Sequence, residues 1–122
     1  MNADIEIRNI AEIGNELIGD LHVSKSNLVG TQINSEEIPD LIDEVPILTF
    51  IASQAEGVTS LRGAEELRIK ESDRLETMKN FIETLNGKIK MHSDGFEITG
   101  KQSLESGVIK SEDDHRVSMT AL

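Results

Sequence analysis

The stretch LIDEVPILTFIASQAEGVTSLRGAEELRIKESDR, Leu41–Arg74, changes its hydrophobic period along its length, and those changes set the fold. Val45, Ile47, Leu48, Ile51, Ala52 and Ala55 recur at helical spacing, which predicts a helix from about Asp43 to Gln54. Pro46 fits that helix only in its first turn, where an N–H would have no intrahelical partner. Gly57 stops the helix, and VTSLRG reads as a strand. The charged segment ELRIKESDRLETM, Glu66–Met78, then leads into a second helix from about Ser72 to Leu85. Leu75, Met78, Phe81, Ile82 and Leu85 form its apolar stripe, and Asn86-Gly87 ends it with a left-handed turn.

Outward from this segment the period becomes two. KIKMHSDGFEITGK reads as a hairpin in which Ile89 and Met91 alternate on one arm and Phe96 and Ile98 on the other, with Asp94-Gly95 at the turn. On the N-terminal side, NLVGTQIN is a short strand or extended link. Before it, DIEIRNIAEIGNELIGDLHVSKS alternates at Ile5, Ile7, Leu21 and Val23 and breaks at Gly14-Asn15, again a hairpin. A short strand is expected around Val108-Ile109, and SEDDHRVSMTAL looks like the entrance to a helix. Between Gly30 and Gly100 the order is strand, helix, strand, helix and two strands, an α/β arrangement. The last helix runs to Leu122 without glycine or cap, which leads to the expectation that the chain is a piece of a longer protein.

Composition narrows the function. The 122 residues carry a formal net charge of −11, with 37% hydrophobic and 29% charged side chains. That is the profile of a soluble, globular chain with no basic stripe, so a phosphate backbone or an anionic membrane is a poor partner. Aromatic residues make up 2%, which leaves Ile, Leu and Val to build the core and excludes a base-stacking platform. No apolar run is long enough to cross a bilayer. The absence of cysteine excludes disulfides and thiolate metal sites and suits a cytoplasmic setting. His22 and His92 show no ligand spacing, so no metal or other cofactor is expected.

Three charged groups stand out. Lys70, Glu71 and Arg74 meet at a loop-to-helix junction, where Glu71 and Arg74, three apart, point to one side. They are either a solvated helix start held by weak ion pairs or a carboxylate between two cations, able to move a proton while the cations hold an anion. Asp113–Arg116 (DDHR) is either an acidic helix cap or an anion pocket in which His115 and Arg116 stand beside free backbone N–H groups. Asp40, Asp43 and Glu44 precede the first helix. One of them is expected to cap it, and that position also suits a base acting on a hydroxyl.

RIKESDRL, Arg68–Leu75, resembles the second signature of the 5-enolpyruvylshikimate-3-phosphate synthase family, and DHRVSM, Asp114–Met119, resembles that family's Asp-His-Arg motif. Leu41–Arg74 is similar to the bacterial pattern almost without interruption, and the likeness extends from about Ile38 to the C-terminus. Ser72 stands where the family also accepts Thr. Val117-Ser118 replaces a bulkier aliphatic residue and a smaller one.

The resemblance implies transfer of the enolpyruvyl group of phosphoenolpyruvate to the 5-hydroxyl of shikimate 3-phosphate, with loss of phosphate and no metal. It implies that Glu71 exchanges a proton with the phosphoenolpyruvate methylene and that Lys70 contacts substrate oxygens. Arg74 and Arg116 would hold phosphoenolpyruvate, with His115 close by. Asp43 would accept the hydroxyl proton; it has the family spacing to Lys70-Glu71, whereas Pro39-Asp40 only imitates that site. The implied fold is an inside-out α/β barrel domain of three βαβαββ units, with residues about 28–100 as one complete unit and partial neighbours in a single partial domain, 1–122. The family's first signature, its opposing domain and its C-terminal lysine are not found in this sequence, so the chain alone is expected to be inactive. A unit with uncovered apolar faces is also expected to self-associate.

Two rivals remain. A UDP-N-acetylglucosamine enolpyruvyl transferase shares the fold, lacks a Lys-Glu-Ser-Asp-Arg run and usually uses a cysteine. A non-enzymatic acidic interaction module would use the same charges only to solvate helix ends.

Overall fold

The period-two and helical segments resolve into two sheets and four helices in the computed structural model, which describes residues 1–122. Strands β1 (Asp4–Ile13) and β2 (Glu16–Ser24) pair antiparallel across the Gly14-Asn15 turn. Both turn residues have positive φ, +61° and +69°, the two-residue geometry that matches strand twist. Between Arg8 and Ala11 the register shifts by one residue, and Asn9 takes φ +52° at this bulge. The hairpin reading holds, yet Ile5, Ile7, Ile10, Ile13, Leu17, Ile18, Leu21 and Val23 are all exposed. Alternation therefore marks strands here without marking a core.

The second sheet runs β3-β4-β6-β5. Its strands are β3 (Gln32–Ile33), β4 (Val58–Leu61), β5 (Lys90–His92) and β6 (Gly95–Thr99). β3 and β4 are parallel, so the chain must cross over between them, and it does so through α1 (Ile38–Leu41) and α2 (Val45–Gln54). β6 lies antiparallel to both β4 and β5. Gly95 is obligatory at this seam, because a Cβ there would overlap the Leu61 carbonyl. His92 pairs with Gly95, which puts Ser93-Asp94 in the loop, one residue earlier than the alternation predicts. The Asp94 carboxylate explains the slip: it accepts from the Arg62 guanidinium and the Gly63 N–H, anchoring the loop tip to the end of β4.

A 3₁₀ turn (Glu65–Ile69) precedes α3 (Arg74–Thr84), and α4 (His115–Thr120) closes the described structure. Helix α3 begins two residues later than Ser72 because Asp73 is its cap, accepting from the Glu76 N–H at 3.0 Å. The expected strand at Val108-Ile109 does not form. Residues 100–111 are irregular, Val108 is exposed, and Leu104 and Ile109 tuck partly against the core.

Two apolar clusters hold these layers together. One packs Ile33, Leu61, Phe96 and Ile98 of the sheet against Ile38, Val45, Ala52, Leu67 and Leu75. The other joins Met78, Phe81 and Ile82 of α3 to Val117 of α4. The second cluster is what brings the start of α4 beside the start of α3.

Candidate functional site

Where the starts of α3 and α4 meet, the sequence buries a charge. Arg74, the first residue of α3, is 1% exposed, and Asp114, the cap of α4, is 0% exposed. Such charges persist only when paired and hydrogen-bonded. Arg74 satisfies that demand on three sides. Its Nε donates to Asp114 Oδ2 at 2.8 Å, its Nη1 to Asp43 Oδ1 at 2.9 Å and its Nη2 to Glu71 Oε2 at 2.7 Å. Nη1 also reaches the Ile42 carbonyl at 3.4 Å. Arg116 completes the cluster from α4: Nη2 donates to Asp43 Oδ2 and Nη1 to Glu44 Oε1, both at 3.1 Å, while Nε has no partner.

The carboxylate held between cations is therefore Asp43, bridging Arg74 and Arg116, with Glu71 bonded to Arg74 alone. Lys70 turns away and donates to Glu66 at 2.7 Å, one helical turn back. His115 is exposed at the first position of α4. Asp40 lies in α1, outside this network. The expected cap on α2 is also absent, because the Asp43 and Glu44 carboxylates are drawn to the arginines.

The electrostatics follow from these bonds. The Arg74 hydrogen bond holds the Asp43 carboxyl below its usual range, against an opposing desolvation, and the charges of Arg116, Arg74 and Lys70 add to the effect. At Asp114 burial pushes upward, but the Arg74 bond, the Arg116 backbone N–H and the Ser72 hydroxyl outweigh it and the net shift is downward. Burial pulls Arg74 down while Asp114, Asp43 and Glu71 pull it up, and the carboxylates win. All three groups stay charged at neutral pH.

A cleft of about 200 Å³ opens beside the cluster, lined by Asp43, Glu44, Ile47, Arg116, Met119 and Thr120. Two larger grooves, about 540 and 590 Å³, lie beside Lys88–Lys90 and beside Thr77–Thr84, away from the arginines. Convergent charge, not size, singles out the smaller cleft. No group of three or more His, Asp or Glu side chains is placed to hold a metal ion, and no helix is long and apolar enough to cross a membrane.

Sequence reasoning anticipated Asp43, Glu71, Arg74 and Arg116, which come together, and Lys70 and His115, which make no contact with that core. It treated Asp114 as a helix cap and missed the bond to Arg74. The signal was one position away, in the Asp beside the His-Arg pair, but a partner forty residues distant is invisible to local spacing.

The class defined by this fold and site is a mixed α/β unit that gathers arginines and carboxylates at two helix starts. The chain belongs to the EPSP synthase (3-phosphoshikimate 1-carboxyvinyltransferase) family, whose model matches residues 1–122. It is 44% identical over 119 residues to the 3-phosphoshikimate 1-carboxyvinyltransferase of Alkaliphilus metalliredigens (strain QYMF), covering 98% of this chain and 28% of that protein. The enzyme of that name from Bacillus subtilis (strain 168) is 40% identical over 120 residues, with the same coverage. A solved EPSP synthase structure from Acinetobacter baumannii superposes with a TM-score of 0.91 at 37% identity, over 98% of this chain and 29% of that one. The chain thus spans somewhat over a quarter of the length of these relatives. The α/β class and the family expected from the motifs are both borne out, and the sugar-nucleotide and acidic-module alternatives are not favoured.

Proposed function

We propose that the chain contributes one half of the active site of an enzyme that transfers the enolpyruvyl group of phosphoenolpyruvate to the 5-hydroxyl of shikimate 3-phosphate. The observation that carries this reading is the Arg74–Asp43–Arg116 bridge, which joins two cations through a carboxylate from three separate segments, with Asp43 and Arg116 lining the cleft and Arg74 buried behind them. Residues about 28–100 form one complete βαβαββ unit within a single partial domain. The opposing wall comes from the rest of the enzyme, which works in the cytoplasm.

In this reading phosphoenolpyruvate replaces the internal carboxylates on the arginines. Arg74 and Arg116 hold its charged groups through charge-assisted forks, and Lys70 swings from Glu66 to a substrate oxygen. His115, exposed at the rim, faces the same anion. Asp43, released from its bridge, takes the proton of the 5-hydroxyl as that oxygen bonds to C2 of phosphoenolpyruvate. The C2–C3 π pair takes a proton from the Glu71 carboxyl, which gains that proton from solvent once phosphoenolpyruvate has displaced it from Arg74, giving a methyl group and a tetrahedral adduct. Glu71 then recovers a proton from the methyl, the double bond re-forms, and the C–O bond to phosphate breaks. The departing phosphate carries the proton from Asp43, so both carboxyl groups regain their starting states.

Phosphate release by the complete enzyme tests the reading. Asp43→Ala and Glu71→Ala are each expected to lower kcat by about 10²–10⁴-fold, the usual worth of a positioned acid or base. UDP-N-acetylglucosamine is expected not to replace shikimate 3-phosphate. Unchanged turnover in both variants, or turnover of the sugar nucleotide, would refute the assignment.

A further inference from the structure

We propose that Asp114 is a positioning residue for the substrate-binding guanidinium of Arg74, over and above its duty as a helix cap. The proposal rests on the phosphoenolpyruvate reading given above. Capping needs one acceptor atom, and Asp114 Oδ1 supplies it, taking the Arg116 N–H at 2.9 Å and the Val117 N–H at 3.4 Å. Oδ2 is then free for another task. It accepts from Arg74 Nε at 2.8 Å and from the Ser72 hydroxyl at 3.2 Å. One fully buried carboxylate thus ties the start of α4, which carries Arg116, to the start of α3, which carries Arg74.

The geometry explains why this acceptor must be the fixed one. Asp43 and Glu71 hold the two terminal nitrogens of Arg74, and both are exposed carboxylates free to be exchanged for an incoming anion. Asp114 is 0% exposed and grips Nε, the one nitrogen that sets the plane of the group. When the anion takes the terminal nitrogens, Asp114 keeps the fork aimed and keeps the buried cation neutralised. The backbone is committed to the same end. Glu112 and Asp113 take φ of +52° and +60° immediately before it, in the left-handed region that few non-glycine residues adopt.

The test separates positioning from capping in the complete enzyme. Asp114→Ser keeps a capping oxygen and removes the carboxylate, while Arg74→Lys removes Nε itself. Phosphoenolpyruvate affinity is measured by calorimetry for each single variant and for the double variant. Positioning predicts at least a tenfold loss in Asp114→Ser, and no more than a twofold further loss when Asp114→Ser is added to Arg74→Lys. A structural cap predicts factors that multiply, and that result would overturn this proposal alone. Undiminished affinity in Arg74→Lys would overturn the anion-site reading, and this proposal with it. Should Asp114→Ser fail to fold, NMR of the unaltered enzyme decides. The Arg74 Nε–H is expected to stay slowly exchanging and unmoved through saturation with phosphoenolpyruvate, while the terminal N–H signals shift. An Nε–H that exchanges like that of a free arginine overturns the assignment.

Discussion

The β1–β2 hairpin and the Arg74 node invert the usual distribution of residues. The hairpin turns eight Ile, Leu and Val side chains to solvent, while the node seals a guanidinium and a carboxylate into the interior at 1% and 0% exposure. Hydropathy alone would assign each to the opposite place. What separates them is partnership: Arg74 finds three carboxylates and a carbonyl, whereas the hairpin strands find mainly each other. Position in the fold follows the contacts a segment can complete, and only secondarily its polarity.

The largest effect expected from breaking this contrast lies at the node. Arg74→Met strands the buried Asp114 charge and should destabilise the chain by about 3–5 kcal/mol, read from urea unfolding. Phe96→Ala should cost a similar amount, about 3–5 kcal/mol, because Phe96 fills the centre of the sheet's apolar cluster at 1% exposure. If Phe96→Ala alone were costly, the node would be ornament and the comparison would fail.

Acid gives a smaller, graded effect. Asp43 and Asp114 are both held below the ordinary aspartate value of 3.8. A depressed folded-state pKa contributes stability that is complete above the unfolded value and is lost as pH falls through the folded one. Unfolding free energy should therefore be flat with respect to these groups at neutral pH and decline below about 3.8. In Asp114→Ser that decline should be shallower. The smallest effect is expected on the hairpin: Ile7→Ser with Leu21→Ser, a directly opposed pair, should change stability by no more than about 0.5 kcal/mol. The same pair should reduce concentration-dependent sedimentation, because an exposed apolar face of this kind drives self-association.

Much of the fold was legible because periodicity is local. The stripe from Leu75 to Leu85 and the Gly14-Asn15 turn are written within a few residues of the structures they form. The failures share a different cause. The hairpin turn moved by one residue because the Asp94 carboxylate bonds to Arg62 and Gly63, and the cap expected on α2 was lost to arginines far along the chain. The motifs marked Glu71, Arg74 and Arg116 by type and spacing. The Asp114–Arg74 bond depends on α3 and α4 packing through Val117, a tertiary fact that no local pattern encodes.

The proposed anion site of Arg74 and Arg116 should be selective for phosphoenolpyruvate, and an amide-resolved NMR titration with sulfate as control decides it. Saturable shifts are expected, concentrated at Lys70–Arg74 and His115–Arg116, larger than sulfate produces and abolished by Arg74→Lys. Shifts equal to those of sulfate, or spread over the surface lysines, would contradict it.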